Sequence, residues 1–139
     1  LAGKAFANSP VAAVHALAYP IGGTFHISHG LSNSLVLPYV LRFNSVDVKA
    51  AKNYAELAPY VFPKLDINKG TQAVCAEFID KLEDLSKRLG LPQKLREVDI
   101  PKDACEKMAS DAMKQTRLLV NNPREVTEKD AFNIYQSAW

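Results

Sequence analysis

Three histidines, His15, His26 and His29, lie within one short stretch of this 139-residue chain, and it contains no others. A neutral imidazole is a borderline donor for divalent transition metals and an acid or base near neutral pH, so the cluster is a candidate metal or catalytic site. The spacing His-x10-His-x2-His matches none of the standard structural zinc patterns. His15 also has apolar neighbours, a setting in which a lone histidine is often a satisfied core residue. Spacing alone therefore leaves two readings open: a site, or three ordinary histidines that are close in sequence. His26 and His29 flank Ile27-Ser28 just ahead of Gly30, at the expected start of a long helix, where free backbone amides and small residues let a ligand approach.

The elements that must position these rings follow from apolar spacing. Ala5, Phe6, Val11, Val14, Leu17 and Ala18 recur at helical intervals, predicting helix across residues 2–18 in two pieces around Ser9-Pro10. Tyr19-Pro20-Ile21-Gly22-Gly23 is expected to stop that helix and reverse the chain, since proline lacks a donor and glycine permits positive φ. Residues 30–43 are apolar nearly all round, which predicts a buried helix kinked at Pro38. Ser45 as cap, with Asp47 complementing the dipole, opens the next helix. After a loop at residues 65–68, Asn68 or Thr71 is expected to cap an amphipathic run over residues 72–89. Val74, Phe78, Leu82, Leu85 and Leu89 share one face of it, and Glu77/Lys81, Glu83/Lys87 and Asp84/Arg88 pair on the other.

Gly90 closes that run just past its cap, and residues 94–100 make a short connector. Residues 103–120 predict another helix, broken by Asn121-Asn122-Pro123. Thr127 with Asp130 three residues on opens the last one, for which Trp139 is an expected anchor. No segment sustains a period of two, so the expected fold class is all-α, a single bundle of five to seven helices. There is no glycine-rich βαβ fingerprint and no P-loop, so no residue of this chain is expected to bind a nucleotide cofactor.

Bulk composition excludes several classes. Hydrophobic residues make up 47% and charged residues 23%, the balance of an ordinary globular domain. The net charge of +2 is spread along the chain with no basic stripe, which argues against nucleic acid as a partner. No apolar run approaches the roughly 20 residues of a bilayer-spanning helix, so no membrane partner is expected. Cys75 and Cys105 stand apart with no Cys-x-x-Cys pair, pointing to reduced, buried thiols and a cytoplasmic location. The chain opens as if in mid-helix, without a cap, so residues 1–139 are expected to continue a longer polypeptide truncated at its N-terminus.

The stretch HALAYPIGGTFHISHGLSNSLVLPYVLRFN, residues 15–44, resembles the signature of the iron-containing (group III) alcohol dehydrogenases. That signature is a histidine on a helix, an A-H/Y-P-L-G turn, then P-H-G-L/V-x-N-A-x-L-L-P. His15, Pro20, Gly22, Gly23, His29, Gly30, Asn33, Leu37 and Pro38 fall in register with it. Asn122-Pro123-Arg124-Glu125 is similar to the family's closing N-P-R segment, so the likeness runs from Leu1 to Trp139.

The resemblance implies a two-domain enzyme: an N-terminal α/β domain binding NAD(P), and a dehydroquinate synthase-like α domain holding a divalent metal, Fe2+ or Zn2+. Residues 1–139 then correspond to the C-terminal helical metal-binding domain, with the nucleotide-binding domain absent from this chain. The family's metal ligands are an aspartate, a histidine four residues later and two further histidines. The last two map onto His15 and His29, and the others fall upstream of Leu1. Phe6, Tyr19 and Leu118 correspond to the substrate pocket, and His26 sits near the metal without ligating it. Tyr19 stands where many relatives carry a second histidine. A phenol of reference pKa near ~10 donates a hydrogen bond but is a poor base at neutral pH, so Tyr19 is carried as a catalytic candidate in that reduced role, the alternative being that it packs the turn.

The activity implied is interconversion of a primary alcohol or diol with an aldehyde or ketone, the metal acting as Lewis acid while hydride passes to or from the nicotinamide. The partners implied are a small-molecule alcohol or aldehyde, the missing N-terminal nucleotide-binding domain and further copies of the chain in a homo-oligomer. The fragment alone is expected to be inactive. Two alternatives remain: a catalytically silent helical assembly module, and maleylacetate reductase or glycerol dehydrogenase-like chemistry on the same fold.

Overall fold

Helices follow the apolar spacing along the chain, but their ends fall where packing and caps dictate. In the computed structural model the backbone is described for residues 1–139, and side chains for residue 1 and residues 3–139. The helices are α1 (Ala2–Asn8), α2 (Ala13–Phe25), α3 (His29–Asn44), α4 (Val48–Val61), α5 (Thr71–Arg88), α6 (Ala104–Met113), α7 (Thr116–Leu119) and α8 (Glu128–Ala138). A single 3-10 turn at Ile67–Lys69 overruns the loop expected at residues 65–68 by one residue, and another at Leu95–Val98 falls within the expected connector. No strand is present among the described residues, as the all-α expectation requires. Among the described residues there are eight α-helical segments rather than five to seven. The excess arises because residues 103–120 do not form one helix: α6 stops at Lys114 and a one-turn α7 follows.

The main core is formed by α2, α3, α6 and α8. Leu17 and Ile21 of α2, Val36 and Val40 of α3, Cys105 and Ala112 of α6, and Tyr135 and Ala138 of α8 all have no exposed surface. The α4–α5 pair packs against α3 and encloses a smaller apolar cluster around Ala58, Val74 and Phe78. On α5 the apolar stripe runs out of partners toward its end: Phe78 is buried, whereas Leu89 is 68% exposed. Gly90, at φ 74, closes α5 with the paired bonds of a Schellman motif, its own N–H to the Lys87 carbonyl and the Leu91 N–H to Ser86.

The stop expected at Pro20-Ile21-Gly22-Gly23 does not occur, because α2 continues through it to Phe25. An interior proline costs roughly 3 kcal/mol, since it removes one backbone bond and crowds the preceding turn. Full burial of Leu17 and Ile21, at about 1.5–3 kcal/mol each, is enough to offset that. The chain reverses instead at His26, a non-glycine residue in the left-handed region at φ 56 and ψ 26. The helix expected to run through Pro38 does so, as α3.

Three expected details differ locally. Asp47, not Ser45, caps α4, accepting from the Ala50 N–H at 2.8 Å; Ser45 donates its hydroxyl to the Arg42 carbonyl instead. Neither Asn68 nor Thr71 caps α5, whose cap position is Gly70, while Asn68 is held by Asp66. Glu83 pairs with Arg42 across to α3 rather than with Lys87, whereas Glu77/Lys81 and Asp84/Arg88 form as expected. The capping box at Thr127 and Asp130 is complete, and Trp139 docks α8 by donating its indole N–H to the Ile100 carbonyl at 2.9 Å.

Candidate metal centre

His15 is the third residue of α2, and His29 is the first residue of α3. The turn at His26-Ile27-Ser28 folds the start of α3 back along α2, bringing the two imidazoles to a centroid separation of 5.1 Å with their planes 56° apart. The approach depends on Gly22. A Cβ there would lie 3.2 Å from the Ile27 carbonyl oxygen and 3.6 Å from Ser32 Oγ, so a side chain would push the turn and α3 away. Ser32 is itself buried and donates its hydroxyl to the Ser28 carbonyl at 3.0 Å, tying the first turn of α3 to the residue before it. The role of Gly22 is therefore close approach within a helix, not helix termination. Gly23 meets nothing within 4 Å.

His15 is partly buried, and burial, followed by the neighbouring His29, lowers its pKa below the ordinary imidazole range. Both causes favour the neutral ring, which is the metal-binding form. His29 is exposed, and a ligand reaches it from solvent. Its ring meets Asn33 one helical turn on, whose Nδ2 lies 3.1 Å from His29 Nε2 and donates to the His29 carbonyl at 3.0 Å.

A cation about 2 Å from one nitrogen of each ring needs imidazole centres on the order of 5–6 Å apart, which this pair meets. Two neutral imidazoles are also the donor chemistry that suits Fe2+ or Zn2+. The residues present thus fit a divalent metal as part of its ligand set. Among the described residues no third histidine, cysteine, aspartate or glutamate joins them.

Of the other expected site residues, Tyr19 is the one whose ring packs beside this pair. Tyr19, one turn beyond His15, is half exposed with its ring 6.3 Å from that of His29. Leu118 lies on α7, which packs against α2, and is partly buried against the main core. Phe6 projects from α1 at 61% exposure. His26 is exposed, and its observed part is the left-handed turn itself. Cys75 and Cys105 are buried, and burial raises both thiols above their ordinary range, so neither is poised as a nucleophile.

Composition and periodicity give no sign of what lies behind His15. A mostly apolar groove of about 330 Å³ opens there, lined by Val11, Val14, Leu37 and Leu41 with Tyr54 and Asn122. Its floor is tied by an amide pair: Asn44 Nδ2 donates to Asn122 Oδ1 at 3.1 Å, and Asn122 Nδ2 returns a bond to Asn44 Oδ1 at 2.8 Å. Arg124 secures the same end of α3, donating to the Phe43 carbonyl with its guanidinium 3.9 Å from the Phe43 ring centre. The Asn-Pro-Arg segment thus braces the far end of the helix that begins with His29.

The sequence profile described as Fe-containing alcohol dehydrogenase family, C-terminal, matches residues 1–139. Long-chain-alcohol dehydrogenase 1 of Geobacillus thermodenitrificans is 39% identical, the match covering 100% of this chain and 34% of the relative. Lactaldehyde reductase of Escherichia coli K12 is 30% identical over 100% of this chain and 35% of its own length. Among solved structures, an alcohol dehydrogenase from Oenococcus oeni superposes with a TM-score of 0.89 at 29% identity, over 99% of this chain and 35% of that one. The chain spans about a third of the length of the curated relatives it matches.

Proposed function

This chain belongs to the Fe-containing alcohol dehydrogenase family, matching its C-terminal region, and from that premise we propose that the whole protein is an NAD(P)-linked oxidoreductase acting on small alcohols and aldehydes. The observation that carries this reading is the His15–His29 imidazole pair, 5.1 Å between ring centres, in a chain matched along its whole length by the family profile. In this reading His15 and His29 hold a divalent metal, Fe2+ or Zn2+, with the remaining donors and the nucleotide-binding domain supplied by polypeptide preceding residue 1. When bound, that group supplies Lewis acidity toward an alcohol or carbonyl oxygen.

The chain's own residues then position and shield the substrate. The Tyr19 hydroxyl, half exposed beside the pair, serves as a hydrogen-bond donor to the substrate oxygen. The aliphatic wall of Val11, Val14 and Leu37 beside His15 excludes water and suits the hydrocarbon part of an alcohol. Phe6 and Leu118 complete the pocket once α1 is covered by the rest of the protein. No described helix is long and apolar enough to cross a membrane.

The test is aldehyde-dependent oxidation of NADH and NADPH by the full-length protein, with Fe2+ or Zn2+ supplied. Metal-dependent turnover is the expected result, with none from residues 1–139 alone. Absence of turnover with any short or long aliphatic aldehyde, in protein that binds nucleotide, overturns the reading in favour of a silent assembly module.

A further inference from the structure

Asn33 lies one helical turn after His29, and a single atom of its side chain, Nδ2, meets two atoms of that residue: the carbonyl oxygen at 3.0 Å and Nε2 at 3.1 Å. The carbonyl contact alone is a common back-bond of a helical asparagine and carries nothing further. The second contact does. A carbonyl only accepts, so the atom beside it is the amide NH2 and not the amide oxygen. The opposite orientation would set oxygen against oxygen and turn two N–H groups toward the buried position where Oδ1 now sits without a protein partner. The orientation of the amide is therefore fixed twice. His29 Nε2 must then accept the remaining N–H, and a neutral ring that accepts at Nε2 carries its hydrogen on Nδ1.

We propose that Asn33 is a positioning residue that presets His29 for metal capture, holding the neutral ring in the tautomer whose Nε2 carries a lone pair and no proton. The proposal rests on the reading of His29 as a metal ligand. Capture then needs no tautomer exchange: the amide yields Nε2 to the cation and keeps its bond to the His29 carbonyl, so the first turn of α3 is undisturbed. The exposed position of His29 leaves that nitrogen reachable from solvent.

The experiment is nitrogen NMR of the full-length protein, freed of metal and labelled with 15N at histidine. It is run at a pH well above the imidazole range so that every ring is neutral, with His29 assigned by His29→Gln. The expected result is an unprotonated Nε2 in the native sequence. In Asn33→Asp, nearly the same shape with acceptors only, Nε2 becomes protonated, while Asn33→Leu loses the bias. The same tautomer in native and Asn33→Asp protein overturns the proposal, as does a protonated Nε2 in the native protein. Full metal content in His29→Ala overturns the ligand reading underneath it, and this failure is distinguishable because the tautomer is read without metal.

Discussion

The Tyr135 hydroxyl, deep in the core, donates a 2.6 Å hydrogen bond to the backbone carbonyl of Leu17, two residues past His15 on α2. This bond ties the last helix of the chain to the helix that carries half of the candidate metal pair. Burial raises the Tyr135 pKa well above its ordinary value, because the phenolate has no place in the core. The neutral phenol is thus favoured in the folded state, and its contribution to stability is complete below about pH 10, the unfolded value, and is lost as pH climbs toward the folded one. Tyr135→Phe should cost about 1 kcal/mol at neutral pH and flatten the alkaline fall in stability. Tyr54, raised chiefly by burial as well, leaves part of that fall in place. Urea titrations between pH 8 and 11 measure both effects.

Adjacent glycines on α2 should respond with opposite signs. Gly23 faces open space inside a helix, so Gly23→Ala gains roughly 0.5–1 kcal/mol from helix propensity. Gly22→Val drives its side chain into the Ile27 carbonyl and Ser32, costing about 1–3 kcal/mol and parting α3 from α2. Denaturation midpoints report the stabilities. Metal content of the full-length variants reports the separation, falling only for Gly22→Val.

His26 holds the left-handed turn without glycine's freedom, a strain of about 1 kcal/mol. His26→Gly should raise the unfolding free energy by up to that amount, read as a higher denaturation midpoint, while metal content stays unchanged. A loss of metal in this variant would give the imidazole, rather than the backbone, a part in the site.

The reciprocal amides of Asn44 and Asn122 are expected to behave as one unit. Asn44 is almost wholly buried, and removing either partner strands the other's Oδ1 at about 1–3 kcal/mol, while Asn44 Nδ2 keeps the Tyr54 hydroxyl and Asn122 Nδ2 keeps the Arg124 carbonyl. Asn44→Ala with Asn122→Ala should therefore lose less than the sum of the two single losses, by at least about 0.5 kcal/mol in a double-mutant cycle.

Much of this arrangement was legible in the residues themselves. The apolar spacing placed most of the helices, the capping box at Thr127 and the C-terminal glycine at Gly90 marked their ends, and Asn121-Asn122-Pro123 marked a break. The reversal was misplaced because Pro20 and Gly22-Gly23 carry a strong local stop signal, while the burial that overrides it involves helices distant in sequence. A histidine in the left-handed region has no sequence signature, so His26 could not be read as the turn. Pairing of His15 with His29 came from the resemblance and not from their spacing. The contact that brings the rings together is a tertiary one through Gly22, invisible to periodicity.

The central claim is that two imidazoles, one on α2 and one opening α3, hold the same cation. Metal content of the purified full-length protein, compared with its His15→Ala and His29→Ala variants by elemental analysis, tests it most directly. About one equivalent of metal is expected in the native protein and loss of most of it in each variant, with NAD(P) binding retained. Stoichiometric metal in both variants would contradict it.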